Sequence, residues 1–229
     1  MKSNIDRRHF LRLGGGTAGA LLLSSTGAVS RAMAQACGLT PAQVEGPFYP
    51  GEAEMTAEND LTRVAGSSAR ALGQVAYIRG KVLDAACRPI AGANVEIWQA
   101  CASGRYNSAG DPNPAPLDPN FRYWGETFTD AQGEYSFKTI VPGAYPADVD
   151  WWRPPHIHFK VSRLGYRELI TQMYFAGEAL NGNDLILGRI SAGERNLVIV
   201  DFAPAPEGYE PGSLLGSFDI TLRSVRRPS

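Results

Sequence analysis

Residues 133–139 read Gly133-Glu134-Tyr135-Ser136-Phe137-Lys138-Thr139. In an extended chain Tyr135 and Phe137 fall on one face, and Ser136 and Lys138 on the other. Alternation at period two is the mark of a half-buried β-strand. The same texture recurs outward from this run, at residues 76–84 (AYIRGKVLD), 93–99 (ANVEIWQ), 156–162, 169–175, 197–202 and 215–222, with Gly and Pro between the runs. Many short strands with turn signals predict an all-β sandwich. Residues 197–202 are apolar until Asp201, which predicts a central strand. Residues 183–190 could form a short helix.

Three connections, residues 102–128, 141–155 and 176–196, exceed the usual loop length of about 12 residues. Loops of that size on a rigid scaffold tend to carry function. Residues 37–74 have little periodicity and are expected to wrap the sandwich as an extended N-terminal arm. The expected organisation is therefore a leader at 1–36, the arm at 37–74 and a β-sandwich domain at 75–229.

The leader has a charged start, Asp6-Arg7-Arg8-His9-Phe10-Leu11-Arg12, followed by a Gly-, Ala- and Leu-rich run from Leu13 to Val29. That is the layout of a secretory signal. Its Arg-Arg-x-Phe-Leu core resembles a twin-arginine signal, although Asp6 stands where Ser or Thr is usual. The resemblance implies export of an already folded protein to the periplasm or beyond, which suits a chain that acquires a metal before crossing. Small residues at Ala32-Met33-Ala34 and Ala34-Gln35-Ala36 suit cleavage. No other run reaches spanning length, so no stable membrane insertion is expected after cleavage.

Residues 1–36 hold five of the 22 basic residues and one of the 23 acidic ones, so the net charge shifts from −1 to −5 when they are removed. An acidic mature chain gives no electrostatic footprint for nucleic acid or an anionic membrane. The chain has three cysteines, Cys37, Cys87 and Cys101. An oxidising compartment permits disulfides; Cys87 and Cys101 flank a predicted strand and could pair, leaving Cys37 odd, but spacing alone does not decide the pairing. No C-x-x-C spacing occurs, which argues against a thiolate zinc site.

The chain has only three histidines. His9 lies in the leader; His156 and His158 sit two apart in a predicted strand, so their imidazoles share a face. Tyr106 and Tyr145 stand at the loop ends leading from and into predicted strands. A phenol titrates near 10 and ligates as a phenolate only beside a strongly acidic cation. Two phenolates with two imidazoles form a hard, anionic set that favours Fe(III).

These residues lie within a longer pattern: Gly46-Pro47-Phe48-Tyr49, Ile97-Trp98-Gln99-Ala100 with Gly104-Arg105-Tyr106, Leu117-Asp118-Pro119-Asn120-Phe121, Pro142-Gly143-Ala144-Tyr145-Pro146, Trp152-Arg153-Pro154-Pro155-His156-Ile157-His158-Phe159 and Thr171-Gln172-Met173-Tyr174-Phe175. In this order the pattern resembles the intradiol ring-cleavage dioxygenases, closest to the protocatechuate 3,4-dioxygenase group. The resemblance implies a prealbumin-like β-sandwich with long active-site loops and a mononuclear non-haem Fe(III) held by Tyr106, Tyr145, His156 and His158. It further implies that Tyr145 leaves the metal when a catechol-type substrate binds and helps take up its proton. Arg153 and Gln172 would act beside the ring, and Pro47 and Tyr49 would line the substrate pocket. Dioxygen is the co-substrate, and the product is a cis,cis-muconate-type diacid. About forty residues separate the leader from the first strand, too few for the helical dimerisation region of the catechol and hydroxyquinol members. The protocatechuate-like branch is therefore the expectation, with homo- or hetero-oligomeric assembly left open. A second resemblance, through Gly80-Lys81-Val82-Leu83-Asp84 and Thr129-Asp130-Ala131-Gln132-Gly133, is to non-catalytic prealbumin-like binding modules of surface proteins.

Overall fold

The computed structural model describes residues 37–51, 55 and 57–225. The predicted leader lies outside them. Among the described residues twelve strands form: β1 (Val75–Asp84), β2 (Asn94–Trp98), β3 (Trp124–Phe128), β4 (Glu134–Ile140), β5 (Tyr145–Asp148), β6 (Trp151–Arg153), β7 (His156–Ser162), β8 (Leu169–Phe175), β9 (Ile199–Val200), β10 (Phe202–Pro204), β11 (Leu214–Ser217) and β12 (Ile220–Leu222). One sheet has the order β10-β11-β1-β12, with β4 pairing the other side of β1. A second has the order β3-β2-β7-β8-β9, and β5 and β6 form a separate hairpin.

The alternation seen in the sequence decides which side chains lie between the sheets. Ile78 and Val82 of β1 and Tyr135 and Phe137 of β4 are buried in one cluster with Val95, Ile97, Ile157, Phe159, Val161 and Met173 of the second sheet. Phe159 meets the rings of Phe137 and Phe218 edge-on, at 6.5 and 4.9 Å between centroids. Each such apolar side chain contributes about 1.5–3 kcal/mol when fully buried, so this layer accounts for the main hydrophobic stabilisation.

Several sequence expectations change in the fold. The predicted strand at 215–222 is interrupted at Phe218-Asp219 and becomes β11 and β12, both parallel to β1. Gly80 is the reason: a Cβ there would lie 1.9 Å from the Phe218 carbonyl oxygen, so only glycine lets that backbone cross. The run at 197–202 is not a central strand. It splits into β9, at the edge of the second sheet, and β10, at the edge of the first. Its apolarity is used differently, with Val198 packing on Tyr174, Leu187 and Ile190. The helical pattern at 183–190 becomes two 3-10 turns, Ala179–Asn183 and Leu187–Arg189, on either side of Asp184. Strands β3, β5 and β6 lie inside connections that read as loops, because they are short and because Gly125 interrupts β3 and Pro146 interrupts β5.

The cysteine pairing that the sequence left open is settled by the fold. Cys37 pairs with Cys87, at 5.2 Å between Cα atoms. Cys101 is a buried free thiol that packs in the core and lies 3.2 Å from Ser103 Oγ. Cys87 sits in the exposed turn after β1, where the Cys37 amide also donates to Ala85 O at 3.2 Å, and this brings the two thiols together. Residues 37–50 contain no strand but bond to both sheets: the Gln43 amide donates to Ile170 O of β8 and the Thr40 amide to Thr221 O of β12.

Candidate active site

The site lies on the outer face of the second sheet, opposite the core. Strand register creates it. Trp98 of β2 pairs with His158 of β7, His158 with Gln172 of β8, and His156 with Tyr174. Their neighbours Ile97, Ile157, Phe159 and Met173 point the other way into the core, so the two faces of the same strands divide packing from chemistry.

Two loops bring the phenols over this face. Tyr106 is held by its own loop: its amide donates to Asp111 Oδ2 at 2.7 Å, and Asn113 Nδ2 donates to Gly104 O at 3.0 Å. Gly104, at φ +83°, lets this loop touch the one that carries Tyr145; a Cβ there would lie 2.3 Å from Ala144 O. Tyr145 opens β5, and its register partner is Arg153. The Tyr106 and Tyr145 rings meet edge-on at 5.5 Å between centroids.

The polar tips converge. Tyr106 Oη lies 3.1 Å from His158 Nε2 and 3.4 Å from His156 Nε2, and the two Nε2 atoms are 3.2 Å apart. His156 Nδ1 is 2.7 Å from Pro154 O. A carbonyl only accepts, so the proton sits on Nδ1 and His156 Nε2 presents a bare lone pair. His158 Nδ1 is buried without a hydrogen-bond partner among the described residues. Trp98 stacks on the His158 ring at 4.7 Å, and Phe48 stacks on Tyr106 at 4.6 Å.

Burial pushes both tyrosine pKa values up, that of Tyr106 most strongly, although the charge of Arg153 pulls both down. Burial, reinforced by Arg153, pushes both histidines well below their ordinary range. Without a cation the cluster therefore holds neutral imidazoles and protonated phenols, with lone pairs crowded together. The donor set fits a hard trivalent metal such as Fe(III), which would satisfy the imidazole lone pairs and draw the phenols into the phenolate form.

Arg153 is the hub beside this cluster. Its Nε donates to Asp184 Oδ2 at 2.6 Å, and its Nη2 donates to Gln172 Oε1 at 2.6 Å and to Tyr174 Oη at 3.4 Å. The Gln172 amide is oriented by donation from Nε2 to Val44 O at 2.9 Å. Tyr174 Oη donates to Gln43 Oε1 at 2.8 Å. Pro47 lies in an exposed turn beside Gly46, whose Cβ would approach His158 Cε1 at 3.5 Å. Tyr49 packs edge-on against Trp98 at 4.9 Å and donates to Glu96 Oε2 at 2.6 Å. The structure thus brings Tyr106, Tyr145, Arg153, His156, His158 and Gln172 together, while the Tyr49 hydroxyl is directed to Glu96. Sequence reading missed Phe48, Asp111 and Asp184. Phe48 sits in the quoted Gly46–Tyr49 motif, but the two acids carry no local signal, because their partners are five and 31 residues away.

A protein-family model described as Dioxygenase matches residues 44–223. The chain is 42% identical over 182 residues to the protocatechuate 3,4-dioxygenase beta chain of Burkholderia cepacia, covering 77% of this chain and 76% of that protein. It is 36% identical over 123 residues to catechol 1,2-dioxygenase of Candida albicans, covering 48% of this chain and only 39% of that longer protein. Among solved structures, the dioxygenase domain of a dioxygenase–carbohydrate-binding protein fusion from Streptomyces sp. SirexAA-E superposes with a TM-score of 0.61 at 29% identity, over 82% of this chain and 100% of that one. The match takes in every strand and all the converging side chains, and it favours the catalytic resemblance over the binding-module one. The chain belongs to the intradiol ring-cleavage dioxygenase family and is an oxidoreductase.

Proposed function

We propose that this protein cleaves the ring of a catechol-type aromatic, protocatechuate-like, between its two hydroxyl-bearing carbons, using dioxygen and giving a cis,cis-muconate-type diacid. The observation that carries this reading is the meeting of Tyr106 Oη, His156 Nε2 and His158 Nε2 within 3.4 Å of one another. Tyr106, Tyr145, His156 and His158 would hold a mononuclear non-haem Fe(III). When bound, that ion supplies Lewis acidity toward the catecholate and a template for its two oxygens.

The protein's own groups do the rest. Burial keeps Tyr145 protonated on its own; as the phenolate that a bound ferric ion would stabilise, it would take up a proton from a substrate hydroxyl. The Arg153 guanidinium stays charged at all working pH values and stabilises negative charge that develops on the ring. Gln172, fixed between Arg153 and Val44, helps hold the Arg153 guanidinium in place. Trp98 and Phe48 cover the ligand rings and limit water.

Export through the twin-arginine-type leader is part of the proposal. The Cys37–Cys87 disulfide supports it, since such bonds persist in oxidising compartments. Ring cleavage outside the cytoplasm suits aromatics released from lignin or a similar polymer.

Oxygen uptake by the iron-loaded protein against a panel of catechols tests the reading. Purified protein should be red-brown from phenolate-to-iron charge transfer and should consume oxygen with at least one catechol. Tyr106→Phe should bleach most of the colour and lower turnover at least tenfold. An unchanged spectrum and rate in that variant would remove Tyr106 from the centre.

A further inference from the structure

We propose that Asp184 is a positioning residue for Arg153, and that the connection between β8 and β9 folds back over the site to deliver it. The inference rests on the ring-cleavage reading above but concerns a side chain outside the ligand set. Both partners are buried, with 4% and 0% of their side chains exposed. The two carboxylate oxygens have separate tasks. Oδ1 accepts the amides of Ile186 and Leu187, at 3.1 and 2.7 Å, so the backbone of the following turn fixes the carboxylate. Oδ2 accepts Arg153 Nε at 2.6 Å. Gly188 closes the turn by donating its amide to Asp184 O at 2.8 Å.

The consequence for Arg153 is geometric. A guanidinium is a rigid plane. Pinning Nε to Asp184 and Nη2 to Gln172 leaves no rotation about the side chain, and it directs the remaining edge toward Tyr145 and the space beside the ligand cluster. A charge that must meet developing negative charge acts best when it is already oriented. Asp184 also balances the buried positive charge without lying among the ligands. Small local displacements of such a group reduce turnover more than they reduce substrate affinity, because only the transition state needs the oriented charge.

The test is a double-mutant cycle in the iron-loaded full chain, using Asp184→Asn, Arg153→Gln and both together, with kcat and KM from oxygen uptake and with iron content measured. Asp184→Asn should lower kcat at least tenfold, with KM within threefold and iron content unchanged. In the Arg153→Gln background it should add less than twofold. An equal loss in both backgrounds, or a kcat within twofold of wild type, overturns the proposal. Should Asp184→Asn fail to fold, Asp184→Glu replaces it. That variant keeps the charge and shifts the guanidinium, and kcat should fall more than threefold at full iron content; wild-type turnover overturns the proposal. A second readout needs no activity. In the metal-free full chain the Arg153 Nε–H should give a sharp, slowly exchanging NMR signal that is lost in the Asp184 variant. If wild type consumes no oxygen on any catechol, the ring-cleavage reading fails by itself, and persistence of that signal in the variant sinks the role of Asp184 separately.

Discussion

At the residue scale, the two histidines link the site to stability. Burial and the nearby Arg153 hold their folded pKa values well below the ordinary 6.5. In the unfolded chain both take up protons as pH falls through 6.5, while the folded chain keeps them neutral. The unfolded state then binds more protons, so stability is complete above about pH 6.5 and declines below it, by about 1.4 kcal/mol per pH unit for each histidine. Urea denaturation of the metal-free protein at pH 7.5, 6.5 and 5.5 should show this loss, and His156→Gln should halve the slope between the last two. A flat profile would mean that the imidazoles titrate in the fold as they do in the unfolded chain. The pair itself was readable from sequence, because two residues apart in a strand means one shared face. Asp184 was not readable: a carboxylate in a loop looks like any solvated acid until the chain is folded.

At the element scale, the contact between the two tyrosine-bearing loops depends on Gly104. Alanine there would place a Cβ 2.3 Å from Ala144 O and would occupy a left-handed backbone at φ +83°. Gly104→Ala should therefore destabilise the chain by at least about 1 kcal/mol from the backbone term alone. Relieving the clash should also move Tyr106 away from Tyr145, weakening the visible absorption of the iron-loaded protein. Wild-type melting and colour together would show that the loops do not need this approach. The strands with strong alternation, β1, β4, β7 and β8, were legible in the sequence. The β5–β6 hairpin was not, since Pro146 and the Asp148 register shift hide its period. The misread central strand has a physical cause as well. An apolar run says that side chains are buried, but not whether a sheet or a set of 3-10 turns covers them.

At the scale of the whole molecule, the Cys37–Cys87 bond ties the segment that orients Gln172, through Val44 and Gln43, to the turn after β1. It links residues 50 apart in sequence, and chain-entropy arguments assign about 4 kcal/mol to a loop of that size. Cys87→Ser should lower the free energy of unfolding in urea by a few kcal/mol, and reduction of wild type should do the same. Equal denaturation midpoints for oxidised and reduced protein would contradict this. The reduced form should also show weaker substrate binding, because the Gln43 and Val44 contacts to Gln172 lose their tether.

The sequence alone determined the β class, the shared face of His156 and His158 and the family pattern, because period-two alternation and motif order are properties of neighbouring residues. Only the tertiary structure decided which cysteine pairs with Cys87, that the site lies on the outer face of the second sheet, and that Asp184 meets Arg153. Those outcomes depend on distances between residues far apart along the chain, and these are set by sheet register and by how long loops fold back.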